Sequence, residues 1–207
     1  MKTKIILIYL VLTLLLNLYG CNVSDDAEDQ AVVYEKIIEA VTQLNENSIL
    51  HFNLLTLASE ADNIPQVNIE LIRTGEFEPP PPGEFDILDD AGAQIGVGAV
   101  MPFPWLSDDL CLIAISWDVM GLYNVFGIDI GDSLEKAESA FGDFGYTRIR
   151  ESEQTGQYAR FSRRIVYEID EMEYVRIVLN VLESEGSSNI GEIILHVDDP
   201  LRQFLYE

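Results

Sequence analysis

The sequence predicts an α+β protein: an N-terminal helix or helices, then an antiparallel sheet with one short helix packed on it. Three observations predict this. After Asp29, apolar residues recur at helical spacing; from 161 to 197, three apolar runs alternate with period two between polar turns; and a capped amphipathic segment at 131–142 precedes those runs. The chain has 207 residues, 48% apolar and 10% aromatic, which is too hydrophobic for a disordered chain. Its 36 acids against 12 bases leave a net charge of -24, which argues against any role on nucleic acid phosphates.

In chain order, the first helix has Val33, Ile37, Val41 and Leu44 on one face, with Asp29 as its cap. Residues 49–58 are mostly apolar and fit a second helix or a buried strand; the reading leans to helix, giving a helical part over 30–62. A sheet part over 66–197 follows within one domain, 30–200. Val67, Ile69 and Leu71 alternate as in a half-buried strand. Glu78-Pro-Pro-Pro-Pro82-Gly83 favours polyproline II and reads as a stiff connector rather than a docking motif.

Asp89-Asp90-Ala91-Gly92 turns a hairpin whose second strand carries Ile95, Val97 and Ala99. Its acids do not make a calcium loop, since the twelfth position counted from Asp86 is Val97 rather than a bidentate acid. Met101-Pro-Phe-Pro-Trp105 reads as a loop whose aromatics cover a core edge, the alternative being an exposed binding loop. Cys111, Ile113, Ile115 and Trp117 alternate with Leu112, Ala114 and Ser116, so little polarity on either side predicts a central strand covered on both faces. The 131–142 helix has Asp132 at its cap, Glu135 three later, Gly142 at its exit and Leu134, Ala137 and Phe141 as its buried stripe. Strands at 161–169, 174–182 and 190–197 then form an antiparallel meander.

The first twenty residues stand apart. Lys2 and Lys4 precede an apolar stretch of twelve residues, Ile5 to Leu16, and a small residue, Gly20. This is signal-peptide anatomy, and the stretch is short of the roughly twenty residues a spanning helix needs. Leu18-Tyr19-Gly20-Cys21 resembles the lipobox of bacterial lipoproteins, whose cysteine is diacylated and becomes the first mature residue. The resemblance implies a diacylglycerol on Cys21 as the link to the membrane and a place on the exported side of a cell or outer membrane. Residues 21–29, with Asp25, Asp26, Glu28 and Asp29, read as an acidic tether. Cys111 sits in an apolar run as a core thiol, and no disulfide is expected. Removing 1–20 takes two bases and no acid, so 36 acids face 10 bases and the mature charge is -26.

Gly131-Asp132-Ser133-Leu134 is similar to the signature of GDSL esterases and lipases, which implies Ser133 as nucleophile. Such a serine needs an imidazole base oriented by a carboxylate. That family draws them from a late Asp-x-x-His, but the late histidine here is His196 and position 193 is Ile. Asp132 and Ser133 are equally the residue types that cap a helix. His51 and His196 lack the paired spacing of a zinc site, so no metal and no cofactor is expected.

Six of the ten mature bases lie between 148 and 176: Arg148, Arg150, Arg160, Arg163, Arg164 and Arg176. They read either as a basic binding patch or as cross-strand ion pairs with Glu151, Glu168 and Glu173. The order Gly127-Ile-Asp-Ile-Gly131-Asp-Ser, helix, Phe141-Gly142 and then strands resembles the BamE/SmpA-like and β-lactamase-inhibitor-like envelope modules over about 110–197. That resemblance implies a non-enzymatic binding or scaffolding module with an envelope protein as partner. An esterase using Ser133 is the alternative, and 187 residues are few for the two lobes of a solute-binding protein.

Overall fold

The computed structural model describes residues 31–50, 53–57, 67–68, 83–88, 91–103, 107–155, 160–169, 172–184, 186–198 and 200. Cys21, the tether, His51, the proline run, Trp105 and the turns at 89–90 and 170–171 lie outside them. The chain divides into two units, Met1–Ile38 and Glu39–Glu207. In the first, the described residues are helical and bury Tyr34 and Ile37.

The second unit is mixed α+β and dominated by sheet. Helix α1, spanning 31–46, continues into it with Ala40, Val41 and Leu44 buried at the predicted spacing. Polar side chains end the helix: Asn47 Nδ2 donates to the Gln43 carbonyl and Ser48 Oγ to the Leu44 carbonyl. The described part of 49–58 is not a second helix. Ser48–Ile49 is strand β1; the backbone of Leu55 is left-handed at φ 63; and residues 55–57 pair with the middle of a later strand, Leu55 N–H donating to Leu112 O and Leu112 N–H to Thr56 O. The Asn45 amide holds this turn by bonding both the N–H and the carbonyl of Leu54. An apolar run without clear periodicity has taken the hydrogen bonds a sheet offered it.

The strands that follow are β2 (Val67–Asn68), β3 (Gly83–Leu88), β4 (Gln94–Phe103), β5 (Ser107–Trp117), β6 (Asn124–Val125), β7 (Tyr146–Glu153), β8 (Arg163–Ile169), β9 (Met172–Ser184) and β10 (Ser187–Val197). Helix α2 (Leu134–Asp143) lies between β6 and β7. One antiparallel sheet has the order β2-β3-β4-β5-β10-β9-β8-β7, and β1 pairs with β6 in a second, two-stranded one. Two four-stranded meanders, each preceded in the chain by a helix, thus meet through their last strands.

The 83–103 hairpin, the central place of β5 and the β8–β10 meander agree with the sequence reading, but β5 is not buried on both faces along its length, since Ala114 and Ser116 are half-buried. Phe103 lies within β4 and is fully buried, so it belongs to the core and not to an exposed loop. Strand β7, at the sheet edge, has no counterpart in the sequence reading.

One face of the sheet carries Phe85, Ile87, Ile115, Trp117, Ile165, Tyr167, Ile177, Leu179, Ile193 and Leu195, all buried. Phe85 lies over Gly98, where an added Cβ would stand 2.0 Å from the ring. Helix α2 packs on this face through its Leu134, Ala137 and Phe141 stripe, Phe141 meeting Tyr167 edge to face at 5.1 Å. The helix exit differs from expectation. Gly142 is helical, and the left-handed residue that turns the chain into β7 is Gly145 at φ 80.

Candidate functional site

Ser133 is the N-cap of α2. Its backbone is extended, at φ -72 and ψ 148, and its Oγ accepts from the Lys136 N–H at 3.2 Å. Asp132, the expected cap, has another task. Its Oδ2 accepts from the Asp129 N–H at 2.9 Å and pairs with Lys136 Nζ at 2.7 Å. Burial works against these contacts, but together they hold the Asp132 carboxyl below its ordinary range.

Ser133 forms an isolated bridge with Asn189, and His196 lies seven residues further along β10, about 20 Å away at the rise of a strand. His196 also projects from the face turned away from α2, since its neighbours Leu195 and Val197 are buried on the other side. Among the described residues no imidazole is placed to take a proton from Ser133. An open depression beside the serine is lined by Glu135, Lys136, Ser139, Ala140 and Asp143 of the exposed side of α2.

The six arginines do not form one cluster. Arg148 and Arg163 lie on the α2 side of the sheet, at its β7–β8 edge. Arg148 bonds Glu138 of α2 at 2.7 Å and also Glu151, while Arg163 bonds Glu151 at 2.7 Å and Ser188 at 2.9 Å. Arg163 Nε is also 2.7 Å from Glu183, without hydrogen-bond alignment. Arg160 precedes β8, pairs with Asp118 at 2.6 Å and lies over the Phe161 ring. On the opposite face, Arg176 bonds Glu168 at 2.7 Å, its direct cross-strand neighbour, and Asp198 at 2.8 Å.

Cross-strand pairing therefore accounts for Glu151 and Glu168, while the Glu173 side chain lies outside the described ones. Arg150 and Arg164, both exposed, have no ion pair among the described residues. Glu138 and Asp198 are partners that a cross-strand search misses, because one lies on a helix and the other just past a strand end.

The face turned away from α2 has a polar centre. Asn180, 4% exposed, donates to Glu192 and accepts from Gln154 Nε2 at 3.3 Å. His196 Nε2 lies 3.5 Å from Asp198 Oδ1. Burial, with Arg176 and Arg164 nearby, nevertheless lowers the affinity of the imidazole for a proton. Where β4 begins and β5 ends, Gly96, Ser116, Asp118, Arg160 and Glu192 line a cleft of about 240 Å³.

Under α2, Phe126, Phe141, Phe144, Tyr146 and Tyr167 form an aromatic cluster. Desolvation pushes the phenols of Tyr146 and Tyr167 well above their ordinary value and that of Tyr123 up to about 12. All three stay protonated at neutral pH, which suits them to packing rather than to base chemistry. No protein-family model, curated protein sequence or solved structure matches this chain.

Proposed function

We propose that this protein is lipid-anchored through Cys21 on the exported side of the cell envelope and acts by binding or scaffolding rather than by catalysis. The observation that carries the non-catalytic half is the placement of Ser133. Its hydroxyl is engaged as a helix cap, about 20 Å along β10 from His196. The topology supports the module reading as well, since α2 is followed by a four-stranded antiparallel meander, the order that the BamE/SmpA-like and β-lactamase-inhibitor-like resemblance implies. The face turned away from α2 is the surface available to a partner, and it combines Val166 and Ile194 with charged rows on either side.

The anchor is supported by the signal anatomy and by charge. A body at -26 is repelled by anionic head groups, so its hold on a membrane has to come from lipid. Palmitate labelling and fractionation test it: Cys21→Ala loses the label and leaves the membrane fraction, and unchanged fractionation refutes the anchor. Gentle solubilisation and co-purification test the binding half, which fails if no stable partner is recovered. The alternative, an esterase using Ser133, requires ester turnover that disappears in Ser133→Ala.

A further inference from the structure

Arg150 and Arg164 are set apart by a defect in the sheet. In a regular strand Arg148 and Arg150 would share a face, because side chains alternate with period two. Here the β7–β8 register shifts between them. Arg148 stands opposite Tyr167 and Arg150 opposite Val166, so Ile149 is a bulge. Tyr167 is buried toward α2 and its neighbour Val166 faces the other way, so the bulge separates the two arginines. Arg148 turns to Glu138 and Glu151; Arg150 emerges on the face without α2.

On that face Ser152 stands opposite Arg164, which makes Arg150 and Arg164 diagonal neighbours, roughly 7–8 Å apart at Cα. Two guanidinium groups at that separation, with a hydroxyl beside them, suit an oxyanion that takes bonds from both. Like charges side by side on a sheet are unfavourable, and the chain has 36 acids with which to neutralise them. Of the nearby acids, Glu168 is paired with Arg176, and Glu192 accepts from the Asn180 amide; neither is paired with Arg150 or Arg164.

We propose that Arg150 and Arg164, with Ser152, are the recognition point for the carboxylates of an acidic segment of a partner protein. The proposal rests on the binding reading and names the chemistry of the partner. A bilayer suits the site less, because its broad anionic surface would also meet Glu168, Glu192 and Asp198 on this face, whereas a narrow segment can reach the two arginines alone. A second copy added edge to edge also suits it less. Antiparallel self-pairing of β7 centred on residue 150, 151 or 152 sets Arg150 against Arg150, Glu151 against Glu151, or Glu151 against Glu153.

The test uses the full chain in neutral detergent and a fluorescent peptide of eight glutamates, followed by anisotropy. Wild type binds saturably and more weakly as salt rises, while R150Q/R164Q loses about tenfold in affinity, as expected for removing charge-assisted bonds. R148Q, on the other face, stays within about twofold because it adds no contact to the site. Equal binding by wild type and the double variant overturns the proposal, as does an equal loss in R148Q. Arginine-dependent binding of the Cys21→Ala chain to phosphatidylglycerol vesicles, without binding of the peptide, overturns the choice of a protein partner. A partner that co-purifies undiminished with R150Q/R164Q refutes this site and leaves the binding reading standing.

Discussion

Replacing Ser133 by alanine and by aspartate separates a capping role from a nucleophilic one. The cap is a single hydrogen bond, Ser133 Oγ accepting from Lys136 N–H at 3.2 Å, on an exposed helix start. Losing such a cap costs about 1 kcal/mol, within a range of 0.5–2. At a urea slope of about 2 kcal/mol per molar, that moves the unfolding midpoint of Ser133→Ala down by about 0.5 M. Aspartate accepts the same N–H and ranks with serine as a cap, so Ser133→Asp stays within about 0.5 kcal/mol of wild type. Both substitutions remove the hydroxyl a nucleophile needs. Urea unfolding of the three proteins, with ester turnover measured on the same preparations, is the assay. The reasoning is refuted if Ser133→Asp is as unstable as Ser133→Ala, or if turnover is found that both abolish.

Two further outcomes follow from the sheet. Gly98→Ala relieves the entropic cost of a strand glycine, about 0.5–1 kcal/mol, but drives a Cβ into the Phe85 ring, which overpacks by about 1–3 kcal/mol. Net destabilisation by urea unfolding, reduced when Phe85→Leu is added, is the expected result; a more stable Gly98→Ala contradicts the packing of Phe85. His196 is held by burial and by Arg176 and Arg164 below its ordinary value of 6.5, against the opposing pull of Asp198. The unfolded chain therefore takes up the proton first. Stability is fully present above 6.5 and falls as pH drops toward the folded value, and His196→Gln removes that part of the slope. An NMR titration with a midpoint above 6.5 would show that Asp198 dominates instead.

What was legible in the sequence was whatever burial writes as a period. The stripe of Leu134, Ala137 and Phe141, the two-sided apolarity of β5 and the alternation in β8, β9 and β10 each record a face turned to the core. Strand β7 escaped because 147–153 are all exposed, leaving Tyr-Thr-Arg-Ile-Arg-Glu-Ser-Glu without an apolar alternation to read. Residues 49–58 misled because an apolar run satisfies helix and strand templates alike, and the Asn45–Leu54 clamp that decides between them joins positions nine apart. The helix ends were each displaced by chemistry that neighbours share. Asp132 and Ser133 can both accept an N–H, and of Gly142 and Gly145 only the latter takes a positive φ.

The arginines show why a charged site is harder to read than a core. Six bases within 29 residues look like one patch in sequence, yet the sheet distributes them between two faces and a strand entrance. Four are drawn to carboxylates, where exposed pairs contribute little to stability, so their arrangement follows from local geometry more than from energy. The same geometry explains the two that are left. Had β7 stayed regular past Arg148, Arg150 would have faced the α2 side with Arg148, toward Glu138. One extra residue at Ile149 turns it from Glu138 and places it beside Arg164, on a face where Glu168 is paired with Arg176. A bulge in an edge strand is thus enough to turn part of a compensated charge network into an uncompensated one. On a chain with a net charge of -24, that distinguishes this face.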